Sequence, residues 1–201
     1  MKDITKQLPL NGTLKKHRRK AEKKEHGLAK GLHKLFVDEL QDIYRSEKAL
    51  AKAIPKMIKN VTALPLVEAL TGQLELAKNN VTILEEAFAF IDEKTESKKC
   101  RTMSCLIKNA RSVMKETDDG MTKDAAIISA ILKVSYYKTA TYVTLCSFAE
   151  ALGENGIAVL LNEILSQAKA ANERISGLTK FSINAEAAPG DLSVTEQKQL
   201  L

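Results

Sequence analysis

The strongest constraint on this chain is a stripe that a strand cannot carry. Leu32, Phe36, Leu40, Ile43, Glu47, Leu50, Ile54 and Met57 recur at spacings of four and three, which is one face of a helix. A second stripe, Val67, Leu70, Leu74, Ala77, Val81, Leu84, Phe88 and Ile91, follows the turn at "NVTALP", where Pro65 suits the first turn of a helix. Both stretches are long for helices of a globular domain. Long neighbours with short connections mark a helical bundle. Pro55 should kink the first helix or end its first part.

The rest of the chain continues the pattern. "DEKTESKKCRT" reads as a charged loop, then a shorter helix turns Leu106, Ala110, Val113 and Met114 inward until "TDDGMTKD" breaks it. The next helix starts near Thr122–Asp124 and is stopped by Gly153, with the stripe Ile127, Ile131, Val134, Lys138, Thr141, Leu145, Phe148 and Leu152. The last helix starts near Asn155, read as its N-cap, and carries Ile157, Leu160, Ile164, Ala168, Ala171, Ile175 and Leu178. Residues 183–201, with Pro189 and Gly190, read as a loose tail. The expected architecture is all-α: two helical hairpins joined by a long crossover with a short helix in it, the ferritin-like arrangement, over residues 31–182.

Composition agrees. Apolar residues make up 44% of the chain and aromatic residues only 4%, which suits an aliphatic bundle core; nine glycines and four prolines are too few for a turn-rich barrel or sandwich. No apolar run approaches a membrane span, and the N-terminus lacks a secretory h-region, so a cytoplasmic protein without membrane association is expected. Three cysteines (Cys100, Cys105, Cys146) are expected as free thiols, with no Cys/His spacing for zinc.

The charge is unevenly spread. The chain carries +6 overall, but residues 1–34 hold eleven Lys/Arg against three Asp/Glu, and the remainder is slightly acidic. Residues 1–30 therefore read as a basic arm. Its cluster Lys15, Lys16, Arg18, Arg19, Lys20, Lys23 and Lys24 offers weak, sequence-independent contact with nucleic acid or another polyanion. No aromatic residue precedes Phe36, so base stacking is not expected.

Two charges interrupt the stripes: Glu47 in the first helix and Lys138 in the fourth. Burying an unpaired charge costs several kcal/mol, so each needs a partner. Bundles that line their cores with carboxylates hold di-iron or di-manganese centres, built from two Glu and two Glu-x-x-His pairs. That signature fails here. His17, His26 and His33 all precede the bundle's middle, and the nearest patterns are Glu75-x-x-Lys78, Ser135-x-x-Lys138 and Glu163-x-x-Ser166. A protonated lysine ligates no metal, so no cofactor is expected. Iron or manganese on Glu47, Glu75, Asp42 or Glu163 is the alternative.

The segments "LFVDELQDIYRSEKALAKAIPKM", "QLELAKNNVTILEEAF", "DAAIISAILKVSYYKTATYVTLCSFAEALG" and "AVLLNEILSQAKAANERI" together resemble the bacterial YciE/YciF family of ferritin-like proteins, over about residues 32–180. The resemblance implies a ferritin-like bundle, often dimeric and linked to stress responses. It also implies acidic and histidine residues where this chain has Ser135, Tyr136, Tyr137 and Lys138, and acids where it has Ser166, Gln167 and Ala168. "KVSYYKTATY" is accordingly read as a former metal wall turned polar seam. Lys138 stands in for the metal charge, Glu47 and Glu75 are its partners, Ser135, Tyr44 and Tyr137 are placed along it, and any of Tyr44, Tyr136, Tyr137 or Tyr142 could hydrogen-bond the carboxylates. The functional expectation is a non-enzymatic, stress-associated bundle acting by binding or assembly, as a homodimer. The alternatives are a residual metal-handling or oxidase protein and a nucleic-acid-associated stress protein using the arm.

Overall fold

A computed structural model describes the backbone of residues 11–95 and 100–181, and the side chains of 29–95 and 100–179. Five helices follow in order: α1 (Asn11–Ile58), α2 (Leu64–Phe90), α3 (Arg101–Glu116), α4 (Met121–Leu152) and α5 (Asn155–Phe181). The hairpin α1/α2 packs beside the hairpin α4/α5, with α1 against α4 and α2 against α5. The short helix α3, between α2 and α4 in the chain, lies on α4 and α1. This is the ferritin-like bundle with a short crossover helix.

Several details depart from the sequence reading. Helix α1 runs back to Asn11 through Gly27 and Gly31 instead of opening near residue 31. Each glycine costs a helix only about 1 kcal/mol relative to alanine, and the Lys, Glu, Ala and Leu around them favour helix. Backbone of the basic cluster thus belongs to α1, while its side chains, and residues 1–10 and 182–201 altogether, lie outside the described residues. Pro55 sits inside the last turn of α1, which continues to Ile58. Asn155 is the first residue of α5 rather than its cap. Gly153 ends α4 with φ 77°, a left-handed conformation that glycine adopts without steric cost.

The inward face of α2 is rotated from the predicted one. Its buried residues are Leu66, Leu70, Gln73, Ala77, Asn80, Leu84, Ala87 and Phe88. The expected stripe took Leu74 and Val81 as inward because they are apolar; their neighbours Gln73 and Asn80 hold those places. The predicted face of α1 from Phe36 to Met57 is buried as expected, Glu47 included.

The core divides into two clusters. One gathers Leu50, Ile54 and Met57 with Leu66, Leu70, the inner face of α3 and Ile127, Ile131 and Val134 of α4. The other gathers Phe36, Leu40, Ile43 and Tyr44 with Leu84, Phe88, Leu145, Ile157, Leu161 and Ile164. At the first cluster's end, the buried Asp124 carboxylate accepts from Thr62 N (3.0 Å), Thr62 Oγ1 (2.7 Å) and Ala63 N (2.7 Å). It ties the start of α4 to the entry of α2, satisfying backbone donors that a helix start leaves open.

Candidate functional site: a charged layer between two apolar clusters

Glu47 lies between the clusters, after Ile43 and Tyr44 and before Leu50, and is fully buried. Its partners come from α2 and α4. Tyr142 Oη donates to Oε1 at 2.7 Å, and Asn80 Nδ2 donates to the same oxygen at 3.0 Å. Lys138 Nζ stands 2.9 Å from Oε2, with its side chain only 4% exposed. No hydrogen bond of standard geometry reaches Oε2, so the Lys138 contact is an ion pair with off-axis angles. Burial, then the Glu47 charge, then the hydrogen bond to Glu47 hold the Tyr142 phenol well above its ordinary pKa.

Helix periodicity explains the assembly. Ser135, Lys138 and Tyr142 follow at spacings of three and four on α4, so all three project from one face. Lys138 and Tyr142 grip the same carboxylate, one through charge and one through a phenolic donor. Asn80 faces them from α2. Ser135 is buried, and its Oγ has no hydrogen-bond partner.

The structure places the other predicted residues elsewhere. Glu75 is on the outer face of α2 and pairs with Lys78 at 2.8 Å, with side chains 64% and 56% exposed. The rotated register of α2 puts Asn80 at the seam instead. Tyr44 donates to Glu85 (2.7 Å), accepts from Lys48 (3.0 Å) and meets the Phe88 ring edge-on. Tyr137 is half-buried against Cys100 Sγ at 3.5 Å, and burial is the main cause of its raised pKa. Tyr136 is exposed. Asp42 pairs with Arg45 at 2.6 Å, one turn from Glu47 but turned toward the surface, and Glu163 accepts from Gln167 on the exposed side of α5.

Of the four tyrosines that sequence reasoning offered as donors to the carboxylates, the structure selects Tyr142; Asn80, Gln73 and Asn172 were missed as buried polar groups. A signal existed for α2: Leu70, Gln73, Ala77, Asn80 and Leu84 repeat at three and four. That pattern is as regular as the one built on apolar residues alone.

The donor set does not fit the di-metal centre that this fold commonly carries. Glu47 is the one acidic residue among the polar groups of this layer, its neighbours being Asn80, Ser135, Tyr142 and the Lys138 ammonium. Among the described residues, no three His, Cys, Asp or Glu side chains gather as a metal site. Nor is any described helix long and apolar enough to cross a membrane.

Comparison with known proteins bears on the fold around this layer. Residues 31–188 match the family described as Domain of unknown function (DUF892). Protein YciF of Escherichia coli (strain K12) is 31% identical over 159 residues, spanning 79% of this chain and 96% of YciF. The crystal structure of that E. coli stress protein superimposes with a TM-score of 0.73 at 30% identity, covering 76% of this chain and 97% of YciF. YcfI from Rhodopseudomonas palustris superimposes with a TM-score of 0.70 at 34% identity, covering 72% of this chain and 92% of YcfI.

Proposed function

This chain belongs to the DUF892 family, with E. coli YciF as a relative, and on that premise we propose that it is a stress-associated ferritin-like bundle without a metal centre, acting by binding or assembly. The observation that carries the reading is the Lys138–Glu47 pair at 2.9 Å. A metal centre in this fold draws carboxylates together around cations. Here a lysine ammonium supplies the cation, and its positive charge would oppose a metal ion bound beside it at the same carboxylate. Tyr142 and Asn80 take up the other oxygen, so Glu47 keeps little donor capacity. The description of the relative as a stress protein supports the stress association.

Elemental analysis of protein purified without chelators tests this. Iron and manganese are expected far below one ion per chain, before and after incubation with either metal. A pair of tightly held ions per chain, lost on Glu47→Gln, would overturn it.

A further inference from the structure

The Lys138 layer holds more polar atoms than it satisfies. Asn80 Oδ1, Ser135 Oγ and Gln167 Oε1 are all buried without a hydrogen-bond partner. They come from three helices, yet their residues line one small cavity, together with Lys138. A polar atom buried without a partner costs about 1–3 kcal/mol, so two amide oxygens and a hydroxyl around one space point to something that occupies it. The cavity leaves about 10 Å³ for the centre of an occupant, near the minimum of roughly 10–15 Å³ that one water requires.

The chemistry selects the occupant. Asn80 Oδ1 and Gln167 Oε1 need donors, because Asn80 turns its amide nitrogen to Glu47 and Gln167 turns its own to Glu163. Lys138 has three N–H donors, of which the Glu47 contact uses at most a share. Ser135 can donate or accept. A metal or alkali cation would meet the ammonium at short range, and an anion would meet two amide oxygens. A neutral molecule with two donors and two acceptor sites satisfies every group.

We propose that a single ordered water occupies this cavity, accepting from Lys138 Nζ and donating to Asn80 Oδ1 and Gln167 Oε1, with Ser135 Oγ as its fourth partner. The water links α2, α4 and α5, where the Glu47 contacts link α1, α2 and α4, so together they cross-tie all four long helices at one level. The inference rests on the metal-free reading only in assigning a retained ammonium to Lys138.

Two measurements test it. A high-resolution crystal structure of the full chain, collected also at the iron and manganese absorption edges, should show one isolated peak at hydrogen-bond distance from Lys138 Nζ and both amide oxygens, without anomalous signal. Water ¹⁷O relaxation dispersion should count one fewer long-lived internal water in Gln167→Met, which keeps the side chain's length and removes its acceptor. An empty or collapsed cavity, or an unchanged water count, overturns the water and leaves the metal-free reading standing. A peak with anomalous signal overturns both.

Discussion

Two buried carboxylates hold this bundle together, and they are satisfied in opposite ways. Asp124, at the end of the bundle, takes neutral donors: two backbone N–H groups and a hydroxyl, all from Thr62 and Ala63. Glu47, at mid-length, takes a cation, a phenol and an amide from two helices. One donor to Asp124, Ala63 N at the N-cap of α2, is of the kind that any helix start offers, since its first N–H groups lack partners; Thr62 adds its own N–H and hydroxyl just before it. The partners of Glu47 are side chains chosen by sequence. The first arrangement is local joinery that any bundle of this topology can use. The second requires α1, α2 and α4 in one register, and is the arrangement on which the proposed metal-free reading rests.

The comparison can be broken most forcefully at Lys138. Lys138→Met strands an ionised carboxylate and should lose about 3–5 kcal/mol in denaturant unfolding. Combined with Glu47→Gln, the double variant should recover part of that loss, because the two changes act on one contact. Strict additivity would mean that the pair is not coupled. Asp124→Asn comes next. It is isosteric, but turns an amide nitrogen toward donors, and should cost about 2–3 kcal/mol. Unlike Lys138→Met, it should lack coupling to Glu47→Gln.

Tyr142→Phe should cost about 2 kcal/mol at neutral pH, for one hydrogen bond to a charged acceptor, and it adds a pH signature. The Tyr142 pKa is raised in the folded state, while an unfolded tyrosine titrates near about 10. The contribution is therefore complete below that value and falls as pH rises from it toward the folded pKa. Stability of the wild-type chain should decline more steeply than that of Tyr142→Phe on raising pH beyond 10. Equal slopes would remove Tyr142 from the account. The smallest effect belongs to Glu75→Gln, which touches only an exposed pair and should stay within about 0.5 kcal/mol. A loss comparable to that of Lys138→Met would return Glu75 to the seam.

The contrast between Glu75 and Asn80 shows what was legible in the sequence. The helix count, the crossover and the inward face of α1 followed from apolar periodicity, and Glu47 and Lys138 announced themselves as charges inside stripes. Helix α2 was harder. A carboxylate attracted attention as a partner for lysine, whereas Asn80 is neutral and its neighbour Val81 is apolar. Register within a helix is a matter of about 100° per residue, so a one-residue shift takes Val81 for Asn80 and hides the buried amide. Tyr142 was hidden for a related reason. Four tyrosines carry the same hydroxyl, and only their position around the helix axis decides which one meets Glu47. Asp124 lay in plain view as part of the "DAA" opening of α4, but two of its three donors are backbone groups, which no side-chain pattern displays.

One consequence of the Lys138–Glu47 contact concerns mass action. A protein core neutralised by a dissociable ion gains stability that grows with the ion's free concentration, as RT ln(1 + [L]/Kd). The ammonium of Lys138 is tethered to α4 by its own side chain. It is present at full occupancy from the moment the helices close, whatever the surroundings supply. Chelation cannot withdraw it, and scarcity cannot dilute it. The charge balance at the centre of this bundle is thus written into the chain itself, and travels with every copy.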